Sequence, residues 1–88
     1  MINIVVPSVW TNAGRTRFPG TEGALHDVIR QFAADNPEFH RRLLDEHDQP
    51  FTYLNICIDD IMVPRHMRAH TTVEADRTVT IISPMAGG

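Results

Sequence analysis

The chain opens on MINIVVP, in which apolar residues occupy positions 2, 4 and 6. Alternation of this kind is typical of a half-buried strand, and the β-branched side chains of isoleucine and valine favour an extended backbone. Pro7 lacks the amide hydrogen that a strand ladder needs, so the strand is predicted to end there. The N-terminal segment therefore predicts one strand with one face directed at a core.

Residues 11–20, TNAGRTRFPG, combine two turn signals with a short extended stretch. Residues 12–14 and the pair Pro19-Gly20 are typical turn sequences, because asparagine and glycine tolerate positive φ and proline presets a turn angle. Residues 15–18 between them predict a short strand. This segment is therefore predicted as turn, strand and turn.

Helical periodicity follows. Thr21 is the expected N-cap, and Glu22 and Asp27 place negative charge where a helix N-terminus favours it. Asn36 precedes Pro37 and is therefore biased away from helical backbone, so we predict that the main helix ends there and that Asn36 caps a second, short helix. The apolar stripe of the main helix recurs at intervals of three and four: Leu25, Val28, Ile29, Phe32 and Ala33. The second helix is predicted to point three residues inward: Phe39, Leu43 and Leu44.

Period-two alternation returns in the C-terminal half. In FTYLNICID, residues 51–59, the two predicted faces carry Leu54, Ile56 and Ile58 on one side and Tyr53, Asn55 and Cys57 on the other. Asp59-Asp60 then predicts a turn. The remaining predicted elements are a return strand at 61–63, irregular backbone at 64–72, a short strand at 72–74, a turn at 75–77 and a last strand, TVTII, at 78–82.

These elements follow one another in the order ββα(α)β…β, with no repeat, low-complexity stretch or linker between them. The order predicts an α+β fold, a β-grasp roll in which a mixed sheet of four to five strands packs on one main helix plus a short helix. Residues 1–83 form the predicted domain, and residues 84–88 form a predicted flexible C-terminal tail.

Composition narrows the classes of partner. The 88 residues fit one domain with a single modest core, and the formal net charge of −3 argues against nucleic acid or an anionic membrane as partner. Cys57 is the only cysteine, so no intrachain disulfide is predicted and a reducing compartment is favoured. The N-terminus carries the pattern of neither a signal peptide nor a membrane span, so a cytoplasmic location is expected.

Two features of the sequence are candidates for a metal site and a reactive thiol. His66 and His70 have the i, i+4 spacing of a zinc pair, but their surroundings do not predict a long helix and no further Cys or His completes four ligands. A solvated loop is favoured there. Cys57 has no readable base or helix N-terminus to lower the pKa of its thiol, so a small apolar sheet residue is favoured. We predict no catalytic residue, no metal site and no bound cofactor.

The C-terminal sequence VTIISPMAGG is the most informative stretch. Pro84 releases the chain from the sheet, and the side chains then shrink from Met85 through Ala86 to Gly87 and Gly88. A tail that tapers to bare backbone suits a narrow channel, since glycine permits the closest approach. Its α-carboxylate is an anion at neutral pH and becomes an acyl donor only after activation, for example as an acyl-adenylate made from ATP. The residues alone therefore suggest a carrier acted on by a partner enzyme.

Two stretches, YLNICIDD (53–60) and VTIISPMAGG (79–88), resemble the ThiS/MoaD family of ubiquitin-like sulfur carriers, most of all its CysO-type members. The resemblance implies that an E1-like enzyme of the ThiF/MoeB type adenylates Gly88 with ATP. It further implies that a sulfur donor then forms a thiocarboxylate, which donates sulfur in the biosynthesis of cysteine, a cofactor or a natural product. Gly88 is then the reacting residue, and Gly87, Ala86 and Met85 thread it into partner enzymes.

The chain departs from the family pattern near the tail. Ala75-Asp76-Arg77 replaces the usual Asp-Gly-Asp turn, so Asp76 is predicted to take the left-handed position. Related carriers dock their E1-like enzymes through a sheet face, which makes Ile82 and Tyr53, on the face opposite the core, the expected docking residues. The alternative is a sheet face covered by its own loops.

Three other functions remain open at this point. The chain could be a ubiquitin-like modifier joined to target lysines through Gly88, or the small subunit of a complex like molybdopterin synthase. It could also be a binding-only β-grasp domain with an inert tail. All three share the predicted fold and differ in what happens to the carboxylate of Gly88.

Overall fold

A computed structural model describes residues 1–12 and 14–84; Ala13 and residues 85–88 lie outside the described part. The strands within that part are β1 Ile2–Val5, β2 Arg17–Gly20, β3 Gly23–Ala24, β4 Asn55–Ile58, β5 Ile61–Met62, β6 Thr72–Val73 and β7 Thr78–Ile82. The α-helices are α1 Leu25–Asp35 and α2 His40–Leu43, and short 3-10 helices span Ser8–Trp10, Pro37–Phe39 and Arg65–His70. None of the described helices is long and apolar enough to cross a bilayer.

The main sheet has the strand order β2-β1-β7-β4-β5, and β3 pairs with β6 in a separate two-stranded sheet. The only parallel pair in this part of the chain is β1 with β7, in the register Ile4 to Val79, and the other pairs are antiparallel. Helix α1 covers one face of the main sheet. The predicted mixed sheet on one main and one short helix is therefore confirmed.

The core lies between α1, the short helices and the inner face of the sheet. Apolar residues predicted from the two periodicities are buried there: Ile2, Ile4, Val6, Leu25, Val28, Ile29, Phe32, Ala33, Phe39, Leu43, Leu44, Leu54, Ile56, Val79 and Ile81. At one end of the core the Phe32 ring lies 5.5 Å from that of Phe18 and 5.8 Å from that of Phe39. Alternation and helical spacing thus identified most of the buried set.

The turn predicted at Pro19-Gly20 is wrong, because both residues belong to β2 and pair with Asn3 and Ile2 of β1. A proline is tolerated there because β2 is an edge strand of the described sheet, so its missing amide hydrogen interrupts no ladder. A Cβ on Gly20 would lie 2.6 Å from Cδ1 of Ile4, so the glycine permits close packing rather than a turn.

The predicted N-cap at Thr21 is also wrong. Helix α1 begins at Leu25, and the preceding Ala24 offers no side-chain cap. Tertiary pairing replaces the cap, since the Leu25 amide donates to the Thr71 carbonyl at 2.9 Å, next to the β3–β6 pair. The Glu22 carboxylate instead forms an ion pair with the N-terminal ammonium of Met1 at 2.8 Å.

The second helical segment begins at Pro37, directly after Asn36, as predicted, but it does not have the predicted side-chain cap. Helix α1 ends at Asp35, before Asn36-Pro37, as the sequence indicates. The Asn36 side chain does not cap the helix that follows. Its Nδ2 donates to the Phe32 carbonyl at 3.1 Å, so it closes the end of α1.

The prediction of irregular backbone at residues 64–72 is also wrong. Residues Arg65–His70 form a 3-10 helix that packs against α1. The division of the chain into a domain at 1–83 and a tail at 84–88 stays a prediction, because most of that tail lies outside the described residues.

Two turns flank the start of β7 with aspartates in the left-handed region, Asp59 at φ 56° and Asp76 at φ 68°. The predicted left-handed position of Asp76 is confirmed. Asp59 Oδ1 accepts from the Thr78 amide at 3.1 Å, and its Oδ2 accepts from Arg77 Nη1 at 2.9 Å. These bonds, the Thr78 amide first, lower the pKa of the Asp59 carboxyl. The carboxylate therefore ties the β4–β5 turn to the start of β7.

This geometry predicts an acid-dependent loss of stability through Asp59. Because its pKa is lower in the folded state, the stabilisation is fully present above the unfolded pKa of about 3.9 and is lost as pH falls through the lower folded value. The free energies of urea unfolding of the Asp59→Asn variant and of the unmodified protein should therefore differ at pH 7, and the difference should shrink as the pH falls below about 3.9. Asparagine tolerates the left-handed backbone, so the substitution adds no backbone strain; it removes the charge and one of the two acceptor oxygens.

The matched control for this prediction is Asp60→Asn, which removes a charge from the same turn without touching these hydrogen bonds. Its difference from the unmodified protein should be smaller. An equal, pH-independent loss in both variants would contradict the role given to the Asp59 carboxylate.

Candidate functional site

The residues predicted to do chemistry are Gly88 and its neighbours Gly87, Ala86 and Met85, and all four lie outside the described residues. The structure describes the base from which they extend, β7 followed by Ser83 and Pro84. The candidate site is therefore built from that base and from the surfaces around it.

Strand β7 is held on both sides, by β1 in parallel and by β4 in antiparallel pairing. Its inward residues Val79 and Ile81 are 0% and 2% exposed. The pairing with β1 extends to Thr80 and the pairing with β4 extends to Ile82, so the last two residues of β7 are held by β4 and by the burial of Ile81. The tail therefore extends from a central strand of the sheet.

Ile82 lies on the opposite, open face of the sheet and is 43% exposed. Beside it runs an apolar groove of about 330 Å³ between the ends of β1 and β7. Its walls include Val5 and Val9 on the β1 side and Thr80 and Ile82 on the β7 side. The parallel pairing of β1 and β7 creates this groove, because it brings the C-terminal ends of both strands to one edge.

Val9 is part of this surface and was missed by the sequence reasoning. It is 55% exposed and belongs to the 3-10 helix Ser8–Trp10 that follows Pro7. The sequence signal was present, since the apolar pair Val9-Trp10, two residues after the proline that ends the predicted strand, is not explained by the strand pattern. Its position beside Ile82 depends on pairing between distant strands.

Tyr53 was predicted on the outer face of a strand, but it lies in the turn before β4. Its ring stacks on Phe51 with centroids 4.9 Å apart, and the side chain is 47% exposed. The first residue of β4, Asn55, pairs with the last residue of β7, Ile82. Tyr53 lies two residues before Asn55, and Pro84 lies two residues after Ile82. The turn carrying Tyr53 and the base of the tail therefore lie at the same edge of the sheet.

Two arginines hold the backbone around Tyr53. Arg65 Nε donates to the Thr52 carbonyl and Arg68 Nη2 donates to the Leu54 carbonyl. Arg68 is buried, and its Nε has no hydrogen-bond partner within the described structure. Burial first, and then the charge of Arg65, lower the pKa of the Arg68 guanidinium. These contacts set the position of the turn that presents Tyr53.

The other candidate residues do not assemble into a reactive site. Cys57 is half-buried on the open face, opposite Thr80 and Met62 in the sheet register. No group of three or more His, Cys, Asp or Glu side chains suited to a metal ion occurs among residues 1–12 and 14–84. Around the base of the tail, the described residues form an exposed apolar surface made of Val9, Tyr53 and Ile82, hereafter the tail-base surface.

Comparison with known proteins relates this geometry to one family. A sequence model of the ThiS family matches residues 11–88. The fold is similar to that of Mycobacterium tuberculosis CysO, described as an antigen, with a TM-score of 0.75 at 19% identity over 94% of this chain and 98% of that one.

Two further solved structures have a similar fold. A chain of the Amycolatopsis orientalis BexX/CysO complex matches with a TM-score of 0.77 at 18% identity over 100% of both chains. SAMP1 from Haloferax volcanii matches with a TM-score of 0.73 at 10% identity over 99% of this chain and 98% of that one. No curated protein sequence matches the chain.

Proposed function

The chain belongs to the ThiS family, and on that premise we propose that it is a sulfur carrier whose cargo is bound at the carboxylate of Gly88. The observation that carries the proposal is the family match, which extends through Gly88. The anchored strand β7 supports it, because a held strand can present a short tail to an enzyme at a defined place.

The proposed chemistry follows from the low reactivity of a carboxylate. At neutral pH the α-carboxylate of a C-terminal glycine is ionised, since its ordinary pKa is about 3.3–3.7, and it does not accept nucleophiles. One of its oxygens attacks the α-phosphorus of ATP, and pyrophosphate leaves to give an acyl-adenylate. Hydrosulfide then attacks the acyl carbon and displaces AMP, which leaves a thiocarboxylate.

The carrier does not catalyse either step in this proposal. An E1-like enzyme of the ThiF/MoeB type supplies the ATP site, a sulfur donor supplies the sulfur, and a biosynthetic enzyme receives it. Gly87 and Ala86 allow close approach in narrow active sites, since small side chains leave room around the backbone. We place these reactions in the cytoplasm, where ATP is available and a lone Cys57 stays reduced.

The tail-base surface is the proposed docking site for the activating enzyme. Val9, Tyr53 and Ile82 are each 43–55% exposed, and all lie at the edge from which the tail extends. Exposed aliphatic and aromatic side chains next to a reacting segment are typical anchors of protein interfaces. Met85, just beyond the described residues, is proposed to contact the same enzyme.

Intact-mass spectrometry tests the proposal directly. The full chain is incubated with its cognate activating enzyme, ATP and sulfide, and its mass is expected to rise by the difference between one sulfur and one oxygen atom. Fragmentation should assign the change to Gly88. A variant that lacks Gly88 is the matched control and should gain no mass.

Other outcomes separate the alternatives. Amide-linked adducts between Gly88 and lysines of other proteins would favour a protein modifier, a function that the name of one protein of similar fold, small archaeal modifier protein 1 of H. volcanii, also suggests. A stable complex with a larger subunit that consumes the sulfur would favour the molybdopterin-synthase-like alternative. If neither thiocarboxylate nor adduct forms, and loss of Gly88 has no phenotype, the tail is inert and the proposal is wrong.

A further inference from the structure

A second concave surface lies on the other side of the Ser8–Trp10 helix from the groove. It is a pocket of about 430 Å³ whose lining includes Trp10, Arg15, Glu38 and Phe39. Val9 contributes to the groove beside the tail, and the next residue, Trp10, contributes to this pocket. One short segment therefore connects the two surfaces.

The pocket has an aromatic floor. The rings of Trp10 and Phe39 lie 6.2 Å apart at an interplanar angle of 33°, and Phe18 meets Phe39 edge-on at 5.5 Å. Phe18 and Phe39 are buried, whereas Trp10 is only partly buried. The aromatic cluster of the core thus reaches the surface at Trp10, where a partner could extend it.

The rim of the pocket is positively charged although the chain is acidic. The Arg15 guanidinium lies 4.6 Å from the Phe18 ring centroid, and that of Arg42 lies 5.8 Å from the Trp10 centroid. Arg15 lines the pocket and Arg42 lies over its Trp10 ring, so two guanidiniums border it, against one lining carboxylate, Glu38.

These guanidiniums are held by aromatic rings rather than by carboxylates. No ion pair to Arg15, Arg17 or Arg42 occurs within the described residues, whereas Arg30 and Arg77 each pair with an aspartate at 2.8–2.9 Å. Arg15 and Arg42 are exposed, so their remaining N–H donors are open to an external acceptor. A stacked guanidinium loses little further freedom when it pairs with a carboxylate.

We propose that this pocket, hereafter the Trp10 pocket, binds an acidic segment of a partner protein. An aromatic or apolar side chain of that segment packs on the exposed part of Trp10, and flanking carboxylates pair with Arg15 and Arg42. A peptide fits better than a nucleotide, because Arg15 and Arg42 lie over two separate rings, Phe18 and Trp10, and separate carboxylates can pair with each of them. A nucleotide concentrates its negative charge in one phosphate group. The proposal does not depend on sulfur carriage, so the two can fail separately.

The fluorescence of Trp10, the only tryptophan in the chain, reports on binding directly. The probe is the synthetic peptide EDFDE, titrated into the full-length chain, and a saturable change in emission is the expected result. The peptide KKFKK tests the need for negative charge, and EDADE tests the need for the aromatic residue. Both should bind at least about fivefold more weakly than EDFDE. Raising the salt concentration from about 0.05 M to 0.5 M should weaken EDFDE binding, because exposed charge pairs are screened.

Charge variants locate the site. The double variant Arg15→Gln/Arg42→Gln is expected to raise the Kd of EDFDE about five- to tenfold, since each exposed pair contributes modestly. Arg41→Gln is the matched control: Arg41 is the exposed neighbour of Arg42 on α2, but the guanidinium over Trp10 is that of Arg42, so this variant should leave the Kd nearly unchanged. Deletion of Gly88 should also leave it unchanged.

Several results would overturn the proposal. It is wrong if EDFDE causes no saturable change, if KKFKK binds equally well, or if Arg41→Gln weakens binding as much as the double variant. Tighter binding of AMP or ATP than of EDFDE would assign the pocket to a nucleotide instead. The salt series uses the unmodified protein, so the test stands even where a variant folds poorly.

Discussion

Replacing Phe32 with alanine is expected to lower the free energy of unfolding by about 3–5 kcal/mol, the usual cost of removing a buried phenyl ring from a packed core. Phe32 is 2% exposed, and the centroid of its ring lies 5.5 Å from that of Phe18 and 5.8 Å from that of Phe39. A domain of this length has a stability of roughly 4–13 kcal/mol, so the variant should lose a large fraction of its free energy of unfolding.

Urea unfolding, followed by far-UV circular dichroism and by Trp10 fluorescence, measures this loss. Phe32→Leu is the graded variant and should lose less, because it leaves a smaller cavity. Gln31→Ala is the matched surface control; it lies next to Phe32 on α1 and loses only a hydrogen bond to Asp35 at 3.0 Å. A Phe32→Ala variant as stable as Gln31→Ala would contradict the packing described for the aromatic cluster.

The same cluster joins stability to the Trp10 pocket. Phe18 and Phe39 pack on Phe32 from one side and form part of the floor beneath Trp10 on the other. Phe32→Ala should therefore also weaken peptide binding at the Trp10 pocket, even where enough folded protein remains to measure it. The surface control, Gln31→Ala, should not.

Much of this fold was predictable because its strands are half-buried. In β1 and β7 every second residue is buried, so alternation alone identified the inward faces, and helical spacing did the same for α1. Pro19-Gly20 shows where such reasoning fails. The local signal for a turn was strong, but pairing with β1 overrode it, and that pairing depends on residues far along the chain.

The candidate site divides in the same way. The tail was recognisable because its pattern is local: a proline, shrinking side chains and two glycines. The tail-base surface and the Trp10 pocket were not, since both form where β1, β7 and the helices meet. Arg68 is a further example, because its stretch resembled a solvated loop and the structure buries it against the Leu54 carbonyl.

The local pattern of alternation accounts for the exposure of Ile82 but not for the position of Tyr53. Both are exposed and both lie at the edge of the sheet from which the tail extends. Tyr53 arrives there through a turn held by Arg65 and Arg68, rather than through the strand that alternation predicted. Ile82 arrives there as the last residue of β7. Their contribution to docking stays a prediction that mutation can test.

Replacing Ile82 with aspartate is expected to weaken binding of the activating enzyme at least about 30-fold. An interface anchor contributes about 2 kcal/mol or more, and a charge placed in an apolar contact adds a desolvation cost. The side chain is 43% exposed on the open face, so the substitution should change the free energy of unfolding by only about 1 kcal/mol or less. Calorimetric titration with the activating enzyme measures the Kd, and the rate of thiocarboxylate formation should fall with it.

The matched control is Ile61→Asp, which introduces the same charge in place of the same residue type. Ile61 is 75% exposed, and it lies in β5 beside the Asp59 turn, at the end of the sheet opposite the tail. If the tail-base surface docks the enzyme, Ile61→Asp should leave the Kd within about twofold, because substitutions outside an interface rarely alter affinity. Equal losses in the two variants would indicate general charge repulsion, and no loss in Ile82→Asp would move the docking site away from the base of the tail.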